Sequence, residues 1–209
     1  MRPKTLTLTA VVLDRNGVSV AQKPVAAGNL TITGVLASGG IATFDISRHV
    51  GIYSDADDSS DTFTVYGTDR NGAVISEEIT GPNTTTANGS KNFKTVTRVA
   101  IDKAATGNIE VGTTNQFDSQ IVPVDSYTDN ISYAVYLSAA ASLTYNFKYT
   151  MSDIFAAGFL EADAVFLTDQ GPKTVSTDSR SAGPFRACRL EITGFTSGTI
   201  TWHIITAHK

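Results

Sequence analysis

The stretch Thr95–Gly112, TVTRVAIDKAATGNIEVG, returns in outline as Ala187–Ile205, ACRLEITGFTSGTITWHII. Each reads as strand, short turn, strand. Arg98 and Arg189 are 91 residues apart, and at that offset Val99 meets Leu190, Ile101 meets Ile192, Gly107 meets Gly198, Ile109 meets Ile200 and Val111 meets Trp202. A repeat at that spacing calls for two similar modules of about 100 residues, an ordinary domain size. In the first copy Thr95, Thr97, Val99 and Ile101 alternate with Val96, Arg98 and Ala100, the period-2 pattern of a strand with one buried face. The two copies are expected to be the closing hairpins of two tandem antiparallel β-sandwich domains.

The rest of the chain agrees with an all-β reading. Leu6, Leu8, Ala10 and Val12 alternate with threonines and Val11. Asp14-Arg15-Asn16-Gly17 and Asp69-Arg70-Asn71-Gly72 are the same four letters, and Asn-Gly accepts the positive φ angles of a tight turn, so each predicts a hairpin. The second is flanked by Thr62–Thr68 and Ala73–Thr80, which makes it the clearest local element in the chain. Ile131–Leu137 and Leu143–Tyr149 alternate again in the second half. Helical character is confined to Ser152–Ala164, where Ser152 could cap, Phe155 and Phe159 lie one turn apart, and Gly158 weakens the helix. The expected partition is a first sandwich over 1–112, a linker over 113–119 and a second sandwich over 120–209, with at most one short helix in the second.

Charged residues make up 17% of the 209 and apolar residues 41%. The charge content lies below the roughly 25% of ordinary soluble domains, and Thr, Ser, Gly and Asn fill the difference, as strand-and-turn chains do. The net charge of −4, from 20 acidic and 16 basic residues, lacks the basic footprint of a nucleic-acid binder. The N-terminus runs straight into alternating Thr and Leu without an unbroken apolar segment, which reads as a strand and not a signal peptide. No run reaches the roughly 18 apolar residues of a membrane helix. Neither nucleic acid nor membrane is expected as a partner. The single cysteine, Cys188, excludes an intrachain disulfide and reads as a buried strand thiol.

Few residues offer chemistry. Asp55, Asp57, Asp58 and Asp61 form an acidic loop whose carboxylates could hold Ca²⁺, but counted from Asp55 the EF-hand pattern fails: Ser60 stands at the turn glycine and Tyr66 at the bidentate Glu. The alternative is a solvated inter-strand loop. His49, His203 and His208 lack metal-ligand spacing. Glu77 and Glu78 are adjacent on a strand and point to opposite faces, so they form no carboxylate pair. Tyr133, Tyr136, Tyr145, Tyr149 and Trp202 could line a sugar-binding face or pack across strands. No Gly-x-Ser-x-Gly, phosphate-binding loop or His-Glu-x-x-His occurs. The sequence thus offers no catalytic centre and implies no cofactor.

The runs TFTVYGTDRNGAVISEEITGPNTTT, KNFKTVTRVAIDKAATGNIEVGT and GPFRACRLEITGFTSGTITWHII, with the opening AQKPVAAGNLTITGVLASGGIATFDISRHV, resemble structural proteins from virions of tailed bacteriophages. The resemblance is one of patterning over most of the chain. It implies assembly and not turnover: a homo-oligomeric capsid cement or decoration protein binding the major capsid protein or other virion proteins, with a tail or neck component next. A carbohydrate- or receptor-binding module is the alternative from a different class.

Overall fold

The computed structural model describes residues 4–10, 12–124, 130–183 and 185–207. In chain order its strands are β1 (Lys4–Thr9), β2 (Ser19–Gln22), β3 (Gly28–Asn29), β4 (Ala37–Ser38), β5 (Ile41–Arg48), β6 (Val50–Ser54), β7 (Thr62–Thr68), β8 (Val74–Thr80), β9 (Thr86–Asn88) and β10 (Phe93–Ile101). There follow β11 (Ile109–Thr113), β12 (Phe117–Asp118), β13 (Val122–Pro123), β14 (Asn130–Leu137), β15 (Ser142–Thr150), β16 (Leu167–Lys173), β17 (Thr177–Ala182), β18 (Ala187–Ser197) and β19 (Thr199–Ala207). The fold is all-β. The helical reading of Ser152–Ala164 gives way to turns and one 3-10 turn at Glu161–Asp163. Gly158 sits at φ 77°, outside the helical region, and Phe155 is exposed, so no apolar stripe holds a helix down.

The strands fall into two compact units, and the boundary differs from the expected 1–112, 113–119 and 120–209. One unit is Leu13–Phe117; the other joins the segment carrying β1 to Asp118–Lys209. β1 runs antiparallel to β19, with Leu6 opposite Trp202 and Leu8 opposite Ile200. The first unit is therefore inserted in the chain after the first strand of the second. Alternation of Thr and Leu marks β1 as a strand but says nothing of its partner, which lies almost the whole chain away. The expected linker 113–119 is not a polar tether. Thr113, Thr114, Asp118 and Ser119 are buried. The Tyr53 hydroxyl donates to the Thr113 carbonyl at 3.0 Å, and the Ser119 N–H donates to the Leu190 carbonyl at 2.8 Å.

The inserted unit has sheets β2-β11-β6-β9 and β4-β5-β10-β7-β8, with β3 on the far end of β10. The split unit has sheets β1-β19-β14-β17 and β12-β18-β15-β16, with β13 also on β18. Setting aside β3 and β4 and taking β12 and β13 as one interrupted strand leaves eight principal strands in each. Numbered by order within its own unit, both read 1-8-3-6 in one sheet and 2-7-4-5 in the other. That is the strand order of an antiparallel jelly roll. Only strands four and five are both consecutive in sequence and neighbours in a sheet. They are β7 and β8, paired from Thr62↔Thr80 to Thr68↔Val74, and β15 and β16.

The expected closing hairpins are therefore corners. β10 and β11 lie in different sheets, as do β18 and β19. The first Asn-Gly turn is present, with the Gly17 N–H on the Asp14 carbonyl at 3.3 Å, but its flanking strands β1 and β2 belong to different units. The face assignment in β10 also shifts. A register break between Val96 and Arg98 lets Val96 point inward along with Val99 and Ile101, while Thr97 faces out. Each core sits between its two sheets. Phe44, Ile52, Phe63, Phe93, Val99 and Ile109 fill the inserted unit. In the split unit Tyr133 stacks on Phe147 at 3.9 Å, and Phe147 meets Trp202 edge-on at 6.0 Å. Burial of each such side chain contributes about 1.5–3 kcal/mol.

Gly112 and Gly67 mark the tightest backbone approaches in the inserted unit. A Cβ at Gly112 would lie 1.9 Å from the Asp14 carbonyl oxygen. Asp14 cannot retreat freely, because its carbonyl accepts from the Thr113 N–H at 2.9 Å and its N–H donates to Thr113 Oγ1 at 2.8 Å. Gly112→Ala is expected to destabilise this unit by about 2–3 kcal/mol in urea titration. Gly194→Ala, whose Cβ meets nothing within 4 Å, is expected to stay within about 0.5 kcal/mol of the parent.

Candidate functional site

Among the described residues, two places bear on the candidate chemistry, apart from the ion cluster of Arg189 with Asp118 and Glu161. The first is the acidic loop between β6 and β7. The structure does not aim its four carboxylates at one point; it uses them to anchor neighbouring backbone. Asp55 accepts from the Asn108 N–H at 2.6 Å and from Asn108 Nδ2 at 2.7 Å. Asp57 accepts from the N–H and hydroxyl of Ser59. Asp58 is fully buried and accepts from the Thr106 N–H at 2.5 Å, the Gly107 N–H at 3.2 Å and the Ser54 hydroxyl. Buried Asp61 pairs with Lys103 Nζ at 3.3 Å. Among the described residues no three His, Cys, Asp or Glu side chains come together as a metal-holding group. The Ca²⁺ candidate thus becomes a clasp that ties the loop to the turn between β10 and β11.

The donors set the acidity of this clasp. Burial pushes the Asp58 carboxyl up, but the hydrogen bonds from Ser54, Thr106 and Gly107 outweigh it and hold the group below its ordinary value. Side-chain and backbone hydrogen bonds from Asn108 lower Asp55, and those from Ser59 lower Asp57.

The second place is the outward face of sheet β1-β19-β14-β17. Arg180 lies opposite Ser132 and Asp178 opposite Ala134 on one side. Ile205 lies opposite Ser132 and His203 opposite Ala134 on the other. Together they line a depression of about 400 Å³. The His203 Nδ1 is 2.8 Å from Thr5 Oγ1, and its ring meets Tyr136 edge-on at 5.5 Å. Ser132 and His203 are diagonal neighbours in the register, and such positions are about 7–8 Å apart, so the pair is not set up as nucleophile and base. The face offers a carboxylate, a guanidinium, an imidazole, a hydroxyl and a ring edge, a set suited to hydrogen-bonding a polar surface. Period-2 patterning puts Ile131, Tyr133 and Val135 on one face, whereas Asp178 and Arg180 sit in TDSRSA, which has no apolar alternation to mark it as a strand.

The remaining candidates are structural. Tyr133, Tyr145 and Trp202 are core residues, Tyr149 stacks on Phe185 at 4.3 Å, and Tyr136 alone of the five is exposed. They form no shared sugar-binding face. Burial pushes the Tyr133 hydroxyl up to about 12 and the Cys188 thiol up to about 12. The His49 N–H donates to the Gln116 carbonyl at 3.2 Å, and His208 lies outside the described residues. Glu77 accepts from the N–H and hydroxyl of Ser90, closing part of the β8 edge. Both arginines matched in sequence lie over rings, Arg98 3.6 Å over Tyr66 and Arg189 3.9 Å over Phe166, but Arg189 also pairs with buried Asp118 at 2.9 Å.

No family model matches the chain, and no curated protein matches it. Among solved structures, a chain from "Structure of infectious bursal disease virus Gt strain" aligns over 97% of this chain and 70% of that one, at 13% identity and a TM-score of 0.21. A likeness of that size carries no argument about fold or function, and the fold rests on the strand order above.

Asp58→Ala leaves two backbone N–H groups and a buried hydroxyl without their acceptor. It is expected to destabilise the inserted unit by about 2–3 kcal/mol, read from the denaturant midpoint. The pH dependence follows from the lowered value. The stabilisation is complete above the ordinary aspartate value of 3.8 and is lost as pH falls through the lower folded-state value. The variant should therefore show a flatter loss of stability on acidification than the parent, measured by intrinsic fluorescence.

Proposed function

We propose that this chain is a structural protein of a tailed-phage virion, a cement or decoration protein that binds the major capsid protein as a homo-oligomer and stabilises the head. The single observation that carries the reading is one eight-strand topology occurring twice, with one copy inserted into the other. Jelly rolls recur in viral capsid and lectin domains because two packed sheets give a rigid block with flat faces and few flexible parts. Here the outer faces are suited to docking. Thr5, Thr7 and Thr9 stand opposite His203, Thr201 and Thr199, a hydroxyl-rich ladder that can exchange hydrogen bonds with a neighbour without a large apolar patch. The patterning shared with virion proteins of tailed phages points the same way. On this reading the protein resides in the virion and works with other virion proteins, without nucleic acid, membrane or cofactor, and it is not an enzyme.

A tail or neck position is the nearest variant. A carbohydrate- or receptor-binding module is the second reading. The depression lined by Asp178, Arg180, Ser132 and His203, beside exposed Tyr136, favours it over other classes.

The test is co-sedimentation of the purified protein with shells of the phage head that lack it. The expected result is saturable binding at a fixed high copy number spread over the shell, with a higher temperature of shell disruption. A small ring at one vertex would replace the cement reading by a neck or tail one. Retention on a glycan array without shell binding would overturn both in favour of the recognition module.

A further inference from the structure

The sheet β1-β19-β14-β17 ends at β17, whose outer edge has no strand against it among the described residues. An open edge presents unpaired N–H and C=O groups, and proteins commonly blunt such edges with proline, bulges or a covering segment. β16, the edge of the opposite sheet, is blunted in this way. It contains Pro172, and its register on β15 breaks twice. β17 has none of these devices. It reads TDSRSA, contains no proline, and holds an unbroken register on β14 from Asn130↔Ala182 to Val135↔Thr177.

Its charges are arranged self-complementarily. Asp178 and Arg180 stand on the same outward face, two residues apart, and neither has an ion-pair or hydrogen-bond partner among the described residues. We infer that two copies of this chain join through the open edges of β17, antiparallel about a two-fold axis at Ser179, so that Asp178 of each copy faces Arg180 of the other.

The geometry selects that register. A two-fold axis perpendicular to a continuous sheet leaves every side chain on its own face, so the axis must pass through a residue position and not between two. Centring on Asp178 sets carboxylate against carboxylate. Centring on Arg180 sets guanidinium against guanidinium. Centring on Ser179 alone pairs unlike charges directly, and does so twice by symmetry. On the inward face the same register sets Thr177 opposite Ser181 and Ser179 opposite itself, small hydroxyl residues that meet without a clash. The two sheets of β1-β19-β14-β17 then run on as one eight-stranded sheet, which hides both edges. The partner is thus a second copy of the chain.

The inference rests on the assembly reading for its use in the virion, but its test stands apart. Asp178→Arg gives an edge with two positive charges, and Arg180→Asp gives one with two negative charges. Each alone is expected to weaken dimerisation by about tenfold or more in sedimentation equilibrium. Mixed in equal amounts, the two variants are expected to form a heterodimer as tight as the parent, since every facing pair is again unlike. Recovery in the mixture also shows that both variants are folded. A parent that remains monomeric, variants that dimerise as the parent does, or a mixture that fails to recover would overturn the edge pairing. A monomeric parent that still binds shells overturns the pairing and leaves the assembly reading standing; a dimer that pairs as described and ignores shells does the reverse.

Discussion

The antiparallel pairing of β1 with β19 is the constraint on which the split unit depends. It sets Leu6 and Leu8 against Trp202 and Ile200 and completes the sheet that covers the Tyr133, Phe147 and Trp202 cluster. Without β1, β19 becomes an edge and the cover over Trp202 is incomplete. Because the pairing joins β1 to β19, the split unit can form only when these two distant strands meet. Contacts of such separation make folding slow, since loop-closure entropy opposes them before any burial offsets it. The inserted unit has all eight of its principal strands within Leu13–Phe117, so the long excursion between β1 and β12 is itself a folded body.

The same topology explains what the sequence made legible and what it hid. Period-2 alternation located β1, β7, β8, β10, β14, β15, β18 and β19, because a strand with one buried face writes that pattern whatever it pairs with. Pairing is another matter. In a jelly roll seven successive strand-to-strand steps include just one between sheet neighbours, and the Asp69–Gly72 turn, which joins β7 to β8, was the hairpin correctly read. The same four letters at Asp14–Gly17 make a turn without a hairpin, since Asp14 is bound to Thr113 and the strands on either side part company. The 91-residue repeat aligns equivalent strands of the two units. It matches strands seven and eight of one unit with strands seven and eight of the other, and the paired positions Val99 and Leu190, Ile109 and Ile200, and Val111 and Trp202 are all buried.

The polar sites were less legible. The acidic loop showed its composition but not its donors. For Asp55 and Asp58 those come from Thr106, Gly107 and Asn108, about fifty residues on, and they turn two of the four carboxylates into acceptors for backbone, while Asp57 is satisfied by Ser59 and Asp61 pairs with Lys103. Matched arginines at 98 and 189 gave no sign that each lies over a ring, because Tyr66 and Phe166 sit on or beside other strands. Asp178 and Arg180 fell in a segment without apolar alternation, as an edge strand with small polar inward residues does. The open edge and the outer face of β17 carry the exposed charges on which the proposed pairing rests.

The nested arrangement itself is tested most directly by a cross-link across β1 and β19. Thr7 and Thr201 lie opposite each other in the register, within reach of a disulfide, and Cys188 is buried too deeply to compete. In a Thr7→Cys/Thr201→Cys protein under mild oxidation, the nested fold predicts an intramolecular disulfide in the monomer, seen as faster migration on a non-reducing gel and confirmed by peptide mass. Two free thiols after oxidation in the folded protein, or disulfides only between molecules, would contradict it and return β1 to the first half of the chain.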